Sequence, residues 1–235
     1  MYLAVLGGCA ATSAGLLVFT ASGVGPLWAV GCLALAAALA ERQSIWLGRH
    51  LEGSISLLPT LFAAVLFGPL AAMIVGALSM AGGFRRPYMK WAVYTCSRSI
   101  TGAAAGLVAG IASGLWSSDV AAMSAATVAA AVTAETIDAA FAAITYKVRG
   151  NRMRDVLKPL APVALVAVPL YAPLVTFLAL AYQNVSPLCL PLFLAPALAA
   201  QRLYGLYQDQ RRLTEAVVAV NERLESANLS FAAPL

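Results

Sequence analysis

The chain alternates seven long apolar stretches with short loops, and this alternation restricts what it can fold into. The stretches cover residues 1–20, 25–40, 57–81, 91–115, 119–146, 161–183 and 187–205. Each approaches the roughly 20 apolar residues that a helix needs to cross a bilayer. Charged residues make up only 11% of the chain, against about 25% in soluble domains. The pattern predicts an all-α polytopic membrane bundle of about seven spans, with no room for a separate catalytic domain.

The charges in the loops predict the orientation in the membrane. Residues 82–90 and 147–160 are strongly basic, whereas residues 116–118 and 184–186 have no basic residue, and residues 41–56 balance two arginines against two glutamates. Basic loops stay on the cytoplasmic side of a membrane. We therefore expect a bacterial inner-membrane protein with its N-terminus outside and its C-terminus inside. The net charge of +5 then comes from basic loops that orient the protein in the lipid bilayer, and we expect no nucleic-acid partner.

A heptad pattern follows the last span. Apolar residues alternate at spacings of four and three, interrupted by one polar residue: Leu206, Gln210, Leu213, Val217, Val220, Leu224, Ala227 and Phe231. Such a seam favours a left-handed coiled coil, in which a polar seam residue fixes the register. The pattern predicts a transmembrane bundle over 1–205, a cytoplasmic coiled-coil helix over 206–235, and a homodimer.

Three ionisable residues lie inside predicted spans: Arg98, Glu135 and Asp138. Charges in the hydrocarbon layer are costly, so they pair or face a polar cavity. Counted from the inner ends of their spans, Arg98 and Asp138 lie at similar depths, and Glu135 is on the same helix face as Asp138. Two interpretations stay open. Either an ion pair joins the fourth and fifth spans, or a polar pocket binds a small molecule or senses protons.

The third stretch is interrupted at its centre by Gly68-Pro69. Proline removes a backbone donor and clashes with the preceding turn, so a helix break is expected here. Broken helices line cavities in many transporters, but a kink absorbed by neighbouring helices is the alternative.

The fourth stretch carries glycines at every fourth position: Gly102, Gly106, Gly110 and Gly114. This spacing lets a second helix approach closely inside lipid. We expect the partner helix to belong to the same chain.

Neither metal chemistry nor catalysis is indicated. The four cysteines lie in or beside apolar stretches without a CxxC pair, and the single histidine, His50, has no companion ligands. No cofactor, metal site or catalytic residue is therefore expected.

Four segments carry a recognisable pattern: 54–59 (SISLLP), 63–72 (AAVLFGPLAA), 85–87 (RRP) and 228–233 (NLSFAA). They resemble the membrane-embedded N-terminal region of bacterial HD and HD-GYP signalling proteins. The resemblance implies a sensor module that relays a signal to cyclic di-GMP hydrolysis. This chain has no His-Asp pair and no HD-GYP motif, so we expect that it is not itself an enzyme and that the output domain lies downstream of it.

The FGPLAA segment at 67–72 is also similar to the S component of energy-coupling-factor vitamin transporters. That resemblance implies a six-helix bundle that binds a small molecule and docks on an energising partner. A purely structural membrane scaffold is a third class, but it leaves the intramembrane charges without a role. The heptad tail favours the sensor interpretation.

Overall fold

The structure, a computed structural model, describes residues 2–19, 23–42, 45–46, 52–53, 56–84, 88–148, 150 and 153–232. The helices of this part are α1 Tyr2–Phe19, α2 Leu27–Arg42, α3 Leu57–Leu66, α4 Pro69–Ser79, α5 Tyr88–Ser113, α6 Asp119–Val148, α7 Met153–Asn184 and α8 Cys189–Ala232. A 3-10 turn, Met80–Gly83, follows α4, and the two-residue strands β1 Ile45–Trp46 and β2 Glu52–Gly53 pair antiparallel. The predicted all-α class is confirmed.

Two stretches within the described residues are long and apolar enough to cross a membrane, namely Asp119–Val148 and Cys189–Glu215. Only 28% and 17% of their most apolar windows are buried. An apolar helix in the core of a soluble protein buries most of its surface, whereas these two expose theirs. The structure thus offers two candidate spans, and the larger count of seven is not established by it.

The third predicted stretch is a helical hairpin and does not cross the bundle as one span. Residues 57–83 in a single helix would extend about 40 Å. Instead, both ends of the stretch contact the C-terminal end of α2. The hydroxyl of Ser56 donates a hydrogen bond to the carboxylate of Glu41. A methyl group added at Gly82 would lie 3.8 Å from Cδ of Arg42.

The reversal occurs at Gly68. Its φ of +85° is a left-handed conformation that favours glycine, and Pro69 starts α4 in the first helical turn. The tip of the hairpin packs near the start of α2, where a methyl group added at Gly25 would lie 2.7 Å from Cδ1 of Phe67. We call the end of the bundle that holds Gly68 the tip end, and the end that holds Ser56 and Gly82 the base end.

The later helices run between these two ends. Gly106 of α5 lies against Pro69, and Tyr182 of α7 packs on Phe67 with ring centroids 5.7 Å apart. The connections 114–118 and 185–188 therefore lie at the tip end. The nearly antiparallel course of the helices returns the chain to the base end after α4 and α6.

The hairpin bears on the predicted topology. Residues 41–56 and 82–90, predicted on opposite sides of the membrane, connect helices whose described ends lie at the same base end. Leu17, near the end of α1, packs with Leu70 beside the hairpin tip, so α1 runs from the base end to the tip end. Among the described residues, six helices therefore run between the two ends of the bundle. The predicted orientation, with the N-terminus out and the C-terminus in, stays a prediction.

The first arm of the hairpin occupies the centre of the bundle. Helices α2, α4, α5, α6, α7 and α8 follow one another around α3, and α1 packs outside on α4 and α5. Residues 57–64 of α3 are all buried. Phe62 and Leu61 are among the largest fully buried side chains, together with Leu33, Val175 and Leu190 of the surrounding helices.

Candidate functional site

Arg98 and Asp138, two of the three charges within the predicted spans, meet where α5 packs on α6. The guanidinium of Arg98 donates to Oδ2 of Asp138 and forms an ion pair with it. Thr101, one turn further along α5, donates its hydroxyl to Oδ1 of the same carboxylate at 2.9 Å. The contact arises because α5 and α6 are antiparallel and both residues lie at a similar distance from the 114–118 connection. Both carboxylate oxygens of Asp138 therefore accept hydrogen bonds from side chains of α5.

Other polar groups surround this pair, which we call the Arg98 cluster. The carboxylates of Glu135, one turn away on α6, and Glu41, at the end of α2, lie close enough to Arg98 for a charge–charge interaction. Tyr171 of α7 lies close to Glu135 and Arg98. Among the described residues no hydrogen bond or ion pair joins Glu135 to Arg98, so of Glu135 and Asp138 only Asp138 bonds to the arginine. The cluster draws groups from four helices and sits in the half of the bundle nearer the base end.

At the centre of the Arg98 cluster, the positive charge of Arg98 is balanced by the negative charge of Asp138. The side chains of Arg98 and Asp138 are 24% and 28% exposed, so neither charge is sealed from its surroundings. In the described part of the chain, no three His, Cys, Asp or Glu residues are placed to hold a metal ion. The geometry accommodates both earlier interpretations, an ion pair joining two helices and a polar pocket.

The helix break at Gly68 and Pro69 lies at the hairpin tip. The rings of Phe62, Phe67 and Tyr182 meet edge to face there, with centroids 5.7 to 6.1 Å apart. The carbonyl of Gly68 accepts a hydrogen bond from the amide of Ala72 at 3.1 Å, which continues into α4. Aromatic side chains thus pack around the break.

The glycine ladder of α5 divides into two halves. A methyl group at Gly102 or Gly106 would collide with the backbone of α4, at Ala72 and Pro69 respectively. A methyl group at Gly110 would meet nothing within 4 Å, and one at Gly114 only its own helix. Gly102 and Gly106 therefore allow α5 to pack closely against the hairpin. A methyl group at Gly110 or Gly114 would meet no other helix among the described residues.

The predicted seam lies on the last part of α8 and faces outward. Leu206, Leu213, Val217, Val220 and Leu224 are 54–68% exposed, and Gln210 is exposed as well. The side chains of Ala227 and Phe231 lie outside the described part of the structure. Helix α8 continues without interruption across the predicted boundary at 205 and 206.

Gln201 was not singled out in the sequence, although it is placed to hold α8. Its side-chain Nε2 donates a hydrogen bond to the carbonyl of Ala40 at 2.9 Å, and the residue is 7% exposed. Two turns earlier Leu194 is buried against the bundle. The sequence signal was a lone amide side chain at the end of an apolar stretch, which a search for charges overlooks.

A shallow apolar cleft lies beside this attachment. Leu58 and Pro59 of α3, Ala36 and Ala40 of α2, and Leu194, Ala197 and Leu198 of α8 line it. All its lining residues are apolar, and none belongs to the Arg98 cluster.

Comparison of the chain with protein-family models, with curated protein sequences and with solved structures gave no significant match. The resemblances noted above therefore rest on the quoted residues alone. Of these, Ser54, Ile55, 85–87 and Ala233 lie outside the described residues.

Proposed function

We propose that this chain is the transmembrane input module of a bacterial signalling protein and passes a signal from the bundle to the cytoplasm through paired α8 helices. The observation that carries the proposal is the continuity of α8. One helix starts with Leu190 buried in the bundle and ends in an exposed apolar seam. Pro196 lies within this helix, but the helix continues past it to the seam. A displacement of the buried part would therefore be carried to the seam.

The distribution of charge supports a membrane location with the base end in the cytoplasm. The tip-end connections 20–26, 67–68, 114–118 and 185–188 contain no Lys or Arg. Along the sequence, all fifteen Lys and Arg residues except Arg98 belong to the segments 41–56, 82–90 and 147–158 or to α8 from Arg202 onward. By the positive-inside rule we propose that both termini are in the cytoplasm. The proposed topology has six crossing helices and one hairpin, in place of the seven spans expected from hydropathy.

The contacts of α8 indicate how a signal would reach the seam. Gln201 ties α8 to the last turn of α2, and the neighbouring Glu41 accepts a hydrogen bond from Ser56 at the start of the hairpin. A movement of the hairpin or of α2 would thus tilt or rotate α8. Rotation of packed helices is an established way to transmit a conformational change.

The nature of the output rests on the resemblance to HD-GYP proteins. We propose a cytoplasmic cyclic di-GMP phosphodiesterase domain, beyond this sequence, as the receiver. A small molecule or a property of the membrane is the proposed signal, and the Arg98 cluster is the group of polar residues within the bundle that would respond to it.

Two adjacent valines test the proposal. Val217 belongs to the seam and Val218 does not, yet they are 62% and 50% exposed. We expect native mass spectrometry from mild detergent to show a dimer for the wild type and for Val218→Asp, and a monomer for Val217→Asp. The reason is that a buried carboxylate in the seam costs free energy, whereas a solvated one does not.

A wild-type monomer would contradict the proposal. If that monomer carried a tightly held small molecule, the S-component interpretation would replace it.

A further inference from the structure

We propose that the interface between two copies of this chain continues into the bilayer along the outward face of α8, as far as Leu192. This inference rests on the proposed dimer and extends it from the cytoplasmic seam to the membrane part of the helix.

The heptad register continues without a break towards the start of α8. Counting back from Leu206 by three and four residues in turn reaches Leu203, Ala199, Pro196 and Leu192. Leu203 and Leu192 are 67% and 75% exposed, and Ala199 and Pro196 are exposed too. One uninterrupted stripe therefore joins the membrane part of α8 to the cytoplasmic seam.

The opposite face of α8 is the one that the bundle holds. Leu190, Leu194 and Gln201 are buried there. Each lies two positions from a stripe residue, which is about 200° around the helix. The bundle therefore leaves the stripe exposed along the whole of α8, and a second molecule can pack on it without disturbing the contacts to α2 and α7.

The residue types on the stripe suit helix packing inside lipid. Close approach of helices in membranes requires small side chains at the contact, commonly four residues apart. Ala199 on the stripe and Ala195 directly beside it have this spacing, and both are exposed. The larger stripe residues Leu192 and Leu203 flank them and can pack against their counterparts.

The sequence of α8 is compatible with a second copy of itself. Two copies in one membrane share their orientation, so their α8 helices would be parallel. In that register Asp209 and Arg223 oppose the uncharged Thr214 and Asn228 of the other copy, which avoids like-charge contacts. Gln210 meets its own copy, and an amide both donates and accepts hydrogen bonds.

Disulfide cross-linking in native membranes tests the extended interface. In a variant lacking the four native cysteines, one new cysteine is placed at Ala199, on the stripe, or at the equally small and exposed Ala200, beside it. A disulfide needs Cα atoms about 4.4–6.8 Å apart. We expect Ala199→Cys to give several-fold more cross-linked dimer than Ala200→Cys under mild oxidation.

A second pair of cysteines separates the two proposals. If Val217→Cys cross-links well above Val218→Cys while Ala199→Cys does not exceed Ala200→Cys, the dimer stands and its membrane extension is refuted. If Val217→Cys also fails to cross-link above its neighbour, the proposed dimer itself fails.

If the cysteine-free protein does not fold, the same interface can be tested in the protein that keeps its native cysteines. Ala199→Leu should weaken the dimer in native mass spectrometry because a larger side chain separates the helices, whereas Ala200→Leu should not. Equal dimer fractions for the two variants would count against the extended interface.

Discussion

Asp138 holds two groups of α5 at once, and this makes it the most sensitive position of the Arg98 cluster. Asp138→Ala leaves the Arg98 guanidinium and the Thr101 hydroxyl without their acceptor in a partly buried place. Removing one partner of a buried ion pair costs about 3–5 kcal/mol, and the partial exposure of this pair places the expected loss at the lower end. We expect a clearly lower melting temperature in detergent.

The matched control removes both charges. Arg98→Met combined with Asp138→Leu removes both ions of the pair, so it should be destabilised by less than the sum of the two single variants. A double variant whose loss of stability equals that sum would show that the two residues are not coupled, and the ion pair would lose its structural role.

Gly102 and Gly110 give a second comparison on one helix. Gly102→Ala places a methyl group against the backbone of Ala72, whereas Gly110→Ala meets nothing within 4 Å. Overpacking costs about 1–3 kcal/mol, while alanine favours a helix over glycine by about 1 kcal/mol. We expect Gly102→Ala to lower the melting temperature and Gly110→Ala to keep or raise it. Equal changes would exclude close packing of α5 on the hairpin.

Among single residues, the sequence predicted that Arg98 lies at the depth of the α6 carboxylates, because depth along a helix follows from counting. It left open whether Asp138, Glu135 or both would pair with Arg98, and the structure shows the ion pair with Asp138. The spacing of the glycines did not reveal which pair of glycines meets another helix. That depends on where α4 begins, at Pro69 opposite Gly106, and no local pattern in α5 contains this information.

Among the elements, the hairpin departs most from the hydropathy-based expectation. Gly68-Pro69 predicts a break, but the angle between the two arms depends on φ at Gly68 and on the packing of both arms against α2. Two arms of 10 and 11 residues are each too short to cross a bilayer, and their combined apolar length imitates a single span.

The phase of α8 should determine the output if a signal travels along it. Two alanines inserted between Tyr207 and Gln208 rotate the seam by about 200° relative to the bundle, whereas seven alanines restore its phase. With a phosphodiesterase domain fused after the last residue, we expect the two-residue insertion to change cyclic di-GMP turnover. The seven-residue insertion should keep turnover near that of the parent fusion. Identical turnover in both would exclude transmission by helix rotation.

On the scale of the whole molecule, the predicted topology depends on one ambiguous segment. Residues 41–56 carry equal numbers of arginines and glutamates, and the positive-inside rule depends on an excess of basic residues in a loop. Counting 57–81 as one crossing places that segment and the N-terminus on the outer side. The hairpin instead brings Ser56 and Gly82 to the same end of the bundle, and the proposed orientation rests on this arrangement.

This topology can be tested in intact cells with a membrane-impermeant maleimide and single cysteines in a cysteine-free variant. Ser117→Cys, in the tip-end connection between α5 and α6, should react from outside. Gly53→Cys, in β2 between α2 and the hairpin, should react only after lysis, as should Ala81→Cys at the other end of the hairpin. The paired behaviour of Gly53→Cys and Ala81→Cys is decisive, because a single crossing over 57–83 would put them on opposite sides. The contrary outcome is that Gly53→Cys and Ser117→Cys are both labelled in intact cells while Ala81→Cys is protected. That result would exclude the hairpin, and with it the proposal that both termini are cytoplasmic.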